Sequence, residues 1–433
     1  MLAPFKVYLQ SRSKRFFLIY IRPSKIPVAW SYEVASTLGA DTKGKRISRP
    51  KIGIYLSTIV VFHHIETIVA NLPEGDYEFI PGHWEEKENK KIMNYLDEMG
   101  MPYCHSVSWL LLHKQQYHVL ISNIFPVGLN PTAPHTNIAH VPELQRLLGK
   151  KLVRMVYSMG KSGWNFSEWN KFYDLILCYG PEMAGRFTEK FPEVKIAPVG
   201  YPRLDCFFQE HSALVRKVQR IYKVDEEVKT ILWLPTWGRL SSLGLYLECV
   251  AALVGKVRVL LKPHPLENKE LLTKAIEAGI TVIDDEKVNN VSLLAQADFV
   301  FCDYGGSVFA SLYCDKNIVL FNLDNPIERD IVNLGDETSF DLLIRESILN
   351  IDINQAGSLN EIILDPDVWE EQKKIRNVLR KKYFMDNYGD AGKDAAGHIS
   401  SIFDEINGAK QVKKASKKAG NITKYLYRIF LIK

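Results

Sequence analysis

No run of about 18 apolar residues occurs in this chain, so nothing in it reads as a membrane-spanning helix. The N-terminus has no apolar core followed by a small-residue cleavage site, so no secretory signal is expected there. Cysteine is scarce: six residues, at 104, 178, 206, 249, 302 and 314, lie scattered over 433 positions, with no CxxC pair and no histidine cluster at zinc spacing. A disulfide scaffold and a zinc module are therefore not expected, and the cysteines read as reduced core residues of a cytoplasmic protein. Acid is missing from both ends. Residues 1–30 carry six Lys and Arg, and residues 409–433 carry eight, with no Asp or Glu in either; against a net charge of +5 this leaves −9 for residues 31–408.

What is present is ordinary for a soluble globular protein: 46% hydrophobic and 24% charged residues, which argue against disordered and fibrous classes. The length suits two domains of ~150 to 200 residues each. The basic ends mix cations with apolar groups, as in "SRSKRFFLIYIRPSK" and "NITKYLYRIFLIK". That pattern suits peripheral attachment to the anionic inner face of a cell membrane, each cation contributing roughly 1 kcal/mol near the surface. A solvated tail, or one packed on the body, fits the same residues. Nucleic acid is not expected as a partner, because no aromatic-basic groove motif accompanies the charge.

From Lys51 onward strands alternate with helices, the signature of a parallel sheet covered on both faces. "KIGIYLSTIVVF", "YEFI", "YHVLIS", "KLVRMVYS", "YDLILCYG" and "VKIAPVG" are the strand candidates of a first series, the helix after the first of them running from about His63 to Asn71. After a helical connector near 210–228 a second series follows: "TILWLPT", "KVRVLLKPHP", "ITVID", "DFVFCDYGG" and "NIVLFN", with helices between. Residues 338–408 read as largely helical. The expected organisation is a basic segment 1–50, a Rossmann-like domain 51–208, a second one 209–385, a closing helix 386–408 and a basic amphipathic tail 409–433. In such α/β sheets ligands lie at the carboxyl ends of the strands.

Three strand ends of the second series are punctuated unusually: Pro235-Thr236-Trp237-Gly238, Lys262-Pro263-His264-Pro265 and Asp303-Tyr304-Gly305-Gly306-Ser307. Gly305, Gly306 and Ser307 open a helix, where free N–H groups and the positive end of the helix dipole make a seat for phosphate. The same triplet is also a routine turn with an N-cap. Prolines on both sides of His264 hold its backbone extended and fix the imidazole at the sheet edge, where it can donate to a diphosphate or protonate a departing phosphate. Lys262 shares a side with His264 if the strand continues that far.

Four ordered stretches, "GYPRLD" (200–205), "ILWLPTW" (231–237), "LLKPHP" (260–265) and "ADFVFCDYGGSVFASLYCDKNIVLFN" (297–322), resemble the CDP-glycerol glycerophosphotransferase family of teichoic-acid and capsule polyol-phosphate transferases; "YGDAGKDAAGHISSIF" (388–403) resembles its closing helix. The resemblance spans about residues 50–408. It implies a GT-B fold, a CDP-activated polyol (glycerol or ribitol phosphate) held by the C-terminal domain, no metal or other cofactor, and an acceptor hydroxyl on a lipid-linked or polymeric glycan entering from the N-terminal domain, with CMP released. It makes His264 the family's diphosphate-contacting histidine and sets Gly306 and Ser307 in its phosphate-binding turn; His264 is the catalytic candidate, and Thr236, Lys262, Gly305 and Arg203 are further candidate contacts to the CDP-polyol.

Two departures stand out. Where the family carries a His-Gly pair whose histidine serves as base, "VYSMGKSGW" has Met159 before Gly160, and a thioether takes no proton. His63 and His64, after the first strand, are the alternatives on the acceptor side beside Gly160, although one core and one exposed histidine is the simpler account of that pair. Where the family often runs Asp-Tyr-Ser-Ser, this chain has Asp303-Tyr304-Gly305-Gly306-Ser307. Rival readings are a GT-B glycosyltransferase or UDP-sugar 2-epimerase-like enzyme and, because of Met159, a non-catalytic nucleotide-binding scaffold in polysaccharide assembly.

Overall fold

The computed structural model describes residues 51–82, 86–104, 110, 115–122, 145–222, 227–285, 288–403 and 405 in full, and the backbone of 5–10 and 16–21. The basic ends read above as membrane anchors lie outside the described residues, apart from the backbone of an antiparallel pair, β1 (Phe5–Gln10) with β2 (Phe16–Ile21). No described helix is long and apolar enough to cross a membrane.

Two six-stranded parallel sheets carry the body. The first comprises β3 (Ile52–Leu56), β4 (Tyr77–Pro81), β5 (Tyr117–Ser122), β6 (Gly149–Met155), β7 (Leu175–Cys178) and β8 (Lys195–Pro198), in the order β4-β3-β5-β6-β7-β8. The second comprises β9 (Thr230–Leu234), β10 (Arg258–Leu261), β11 (Thr281–Val282), β12 (Phe299–Cys302), β13 (Asn317–Phe321) and β14 (Asn350–Ile351), in the order β11-β10-β9-β12-β13-β14. Counted within its own domain that order is 3-2-1-4-5-6, the doubly wound arrangement with its switch point between β9 and β12. Leu232 of β9 sits between Leu260 of β10 and Val300 of β12, and all three are fully buried. Continuous apolar runs, rather than alternating ones, are what strands covered on both faces require. The architecture is GT-B: two Rossmann-like domains facing a cleft.

One expectation changes. The apolar run "KIGIYLSTIVVF" is not one strand: β3 ends at Leu56, and a helix, Ile59–Val69, begins at a Thr58 cap whose Oγ1 accepts from Val61 N. A β-branched run at the start of a buried helix imitates a strand, and the side-chain cap decides between them. The stretch after residue 338 is largely helical, and the short strand Asn350–Ile351 within it adds a sixth strand at the sheet edge.

The chain finally returns to the first domain. The Asp205 carboxylate, from "GYPRLD", accepts from Ala391 N at 3.1 Å and Gly392 N at 2.7 Å, capping the helix of residues 391–403, and Asn387 donates to Val199 O. A methyl at Gly392 would lie 2.7 Å from the Thr67 backbone, so the crossing relies on glycine for its close approach. All six cysteines are free, three buried and three half-buried.

Candidate active site

A cavity of about 530 Å³ opens between the domains at the carboxyl ends of the strands. Every residue nominated from the sequence lines it except Gly160, which lies beneath, against Gly305. Five cations (Lys91, Lys161, Arg203, Lys262, Lys269) face two carboxylates (Glu88, Asp284), so an acidic body surrounds a positive hollow. Low-dielectric walls concentrate such a field and favour an anionic occupant.

His264 follows β10 and is half-buried, its ring stacked on exposed Trp237 with centroids 5.4 Å apart. Leu266 N donates to its Nδ1 at 3.2 Å. A backbone N–H can only donate, so Nδ1 holds a lone pair, and the neutral ring carries its proton on Nε2. Burial, reinforced by the positive Lys161, pushes its pKa down to about 4, which keeps the imidazole neutral at pH 7. Lys262 N remains in the sheet, bonded to Trp233 O, and its Nζ donates to Asp285 O at 2.7 Å.

Two carboxylates that the sequence did not single out organise the strand ends. Asp303, fully buried, accepts from Thr236 N, Ser242 N and Tyr304 N at 2.7 to 2.8 Å, tying the loop after β9 to the loop after β12; burial raises its pKa to about 6. Asp341, also fully buried, bridges the domains: Oδ1 accepts from Gly305 N at 2.6 Å and Oδ2 from Lys161 N at 2.7 Å. Gly305 adopts φ +101, a backbone that glycine takes without penalty, and the helix Gly306–Tyr313 starts with no side-chain cap. The Gly305 N–H is thus already committed to Asp341, so the phosphate seat expected there is narrower: the free amides begin at Gly306. The paired glycines also admit the first domain. A methyl at Gly160 would lie 2.7 Å from Gly305 Cα, and one at Gly306 2.8 Å from Ser158 Oγ.

On the first-domain wall Met159 is fully buried in the core and presents nothing to the cavity. His63 and His64 are both buried, not one in and one out. They differ in partners. Arg203 Nη1 lies 2.8 Å from His64 Nε2, and since a guanidinium only donates, that nitrogen's lone pair is occupied; the ring stacks on Tyr157. Burial, then Arg203 and His63, hold the His64 pKa well below the ordinary value. Neither nitrogen of His63 has a hydrogen-bond partner, and its Nδ1 faces the Glu66 carboxylate at 3.6 Å. Arg203, nominated for the CDP-polyol, belongs by position to this first-domain wall, beside His64. Ser158 Oγ is buried and without a partner.

Lys161, Asp303, Asp341 and Trp237 are the neighbours that sequence reasoning did not assign. Trp237 and Asp303 stood inside the punctuated strand ends, and Lys161 directly after Met159-Gly160, so position relative to a strand end was available as a signal. Asp341 had none: it lies 36 residues beyond Gly305 in an unremarkable short helix.

Two Rossmann-like domains facing a cleft give the chain the GT-B fold. The profile of the family described as CDP-Glycerol:Poly(glycerophosphate) glycerophosphotransferase matches residues 71–329, more than half of the sequence, and the chain belongs to that family. It is a CDP-glycerol glycerophosphotransferase-like enzyme, and membership implies a CDP-glycerol donor and a glycan acceptor. Among solved structures, the wall teichoic acid polymerase TagF superposes with a TM-score of 0.56 at 12% identity, over 83% of this chain and 90% of that one. A TagF variant soaked with CDPG gives 0.56 at 15% identity over the same shares. At such identity the likeness concerns the fold. No curated protein matches the chain in sequence.

Proposed function

We propose that this enzyme transfers a polyol phosphate, glycerol or ribitol phosphate, from its CDP ester to a hydroxyl of a lipid-linked glycan or cell-surface polymer of the teichoic-acid or capsule type. The acceptor oxygen attacks the β-phosphorus; the bond from that phosphorus to the bridging oxygen breaks, and CMP leaves with the electron pair. The hydroxyl proton passes to His63, the wall histidine whose nitrogens are unclaimed, rather than to His64, whose lone pair Arg203 holds. His264 and the amides from Gly306 onward stabilise charge on the departing phosphate, and Thr236 and Lys262 flank it.

The observation that carries this reading is the neutral His264 ring, its Nε2–H free to donate beside an uncapped helix start in a positive hollow. Its neutral form supports hydrogen-bond donation over proton transfer to the leaving group. Attachment to the inner face of a membrane through the basic ends is part of the proposal, resting on charge. Incubating the protein with CDP-glycerol or CDP-ribitol and an acceptor extract tests it: CMP release that requires both substrates is expected. Thermal stabilisation by UDP and not CDP would point to a sugar-nucleotide enzyme, and CDP binding with no CMP release to a scaffold.

A further inference from the structure

We infer that Lys161 is a first-domain contact to the β-phosphate of the bound CDP ester, so that the donor substrate is gripped from both sides of the cleft. The inference rests on the proposed CDP-dependent reading and adds to it a residue that the family resemblance did not assign.

Lys161 has φ +61 and ψ +52, a left-handed backbone uncommon for a non-glycine residue. Such a conformation persists when surrounding contacts over-determine it, and here Asp341 Oδ2 holds the Lys161 N–H. The strained backbone sends the side chain across the domain boundary: its Cε lies 3.8 Å from where a Cβ on Gly305 would be. The ammonium lines the cavity, makes no hydrogen bond or ion pair with any described residue, and sits close enough to His264 to depress that ring's pKa. Burial lowers the Lys161 pKa, and the carboxylates of Asp341, Asp330 and Asp303 offset that only in part; none of them pairs with the ammonium, which leaves it, beside an uncapped helix start, able to take a further anion. It arrives from the wall through which the acceptor enters, which places it by the phosphorus under attack rather than by the nucleoside.

Calorimetric titration of CDP, CMP and inorganic pyrophosphate into the wild-type protein and Lys161→Gly, Lys161→Met and Lys161→Arg tests this. Glycine suits φ +61, so Lys161→Gly removes the side chain while relieving strain and folds with an unchanged melting temperature. The expected result is about tenfold weaker CDP and pyrophosphate binding in the Gly and Met variants, CMP affinity within about threefold, and partial recovery in Lys161→Arg. Unchanged CDP affinity, or equal losses for CDP and CMP, would overturn the assignment. If the wild type binds no cytidine nucleotide, the proposed function fails instead. Pyrophosphate binding then decides the Lys161 contact: loss in Lys161→Gly upholds it, and no loss removes it.

Discussion

Gly160 of the first domain and Gly305 of the second meet backbone to backbone, with no room between them for a single methyl group. The Asp341 carboxylate closes the same junction by holding the amides of Lys161 and Gly305 together. The Gly305-Gly306 turn is therefore shaped by both domains at once.

Gly160→Ala should force the two loops apart, because the atoms it meets, Gly305 Cα and C and the Asp341 Oδ1, are backbone or a fixed carboxylate. Overpacking of this kind costs about 1–3 kcal/mol. Thermal unfolding should show that loss, and CMP release should fall more steeply than stability.

Asp341→Asn keeps the shape but presents an NH₂ group where one backbone N–H needs an acceptor. A buried donor left without a partner costs about 1–3 kcal/mol. Denaturant unfolding should report the loss, and the stabilisation conferred by CDP should shrink because the helix start is no longer held to Lys161.

His264→Gln should cut turnover by about 10²- to 10³-fold if the Nε2–H stabilises developing charge. Stability provides a second readout. The folded pKa of about 4 lies below the usual value of about 6.5, so between those pH values the unfolded chain binds more protons than the folded one. The wild type should therefore gain stability relative to His264→Gln as pH rises through that window, on the order of 2 kcal/mol once partial exposure is discounted, with the gain complete above about pH 6.5. A flat difference from pH 4 to pH 7 would contradict the buried neutral ring.

His63→Ala and His64→Ala should separate the two wall histidines. Removing a general base costs about 10²- to 10⁴-fold in kcat. That loss is expected for His63→Ala, with CDP affinity within about twofold, whereas His64→Ala frees Arg203 and should act mainly on KM for the acceptor. Equal kinetic behaviour of the two variants would remove the distinction drawn from their partners.

Deleting residues 409–433 should weaken sedimentation with phosphatidylglycerol vesicles and leave CDP binding unchanged, since eight cations leave with the tail. Binding to neutral phosphatidylcholine vesicles should be weak with or without it, and salt should abolish the difference.

Much of the second domain could be read in advance. Thr230–Leu234, Arg258–Leu261 and Phe299–Cys302 are short apolar runs ended by Pro, Gly or Asp, and the structure makes each a central parallel strand with its punctuation at the cleft. The first domain was harder. Ile59-Val60-Val61 reads as strand by composition, and a Thr58 side chain turned it into helix. Asp205 was visible as part of a motif, but its work in capping the returning helix of residues 391–403 depends on a partner 186 residues away.

Local periodicity and turn chemistry, both properties of neighbouring residues, are enough by themselves to specify two doubly wound sheets and to mark the strand ends of the second. Docking of one domain on the other laid Lys161 over Gly305 and gave Asp341 two amides from opposite walls, while tertiary packing inside the first domain engaged His64 with Arg203 and left His63 facing Glu66. Those pairings join residues as many as 180 positions apart, and no sequence period encodes the packing of two finished surfaces.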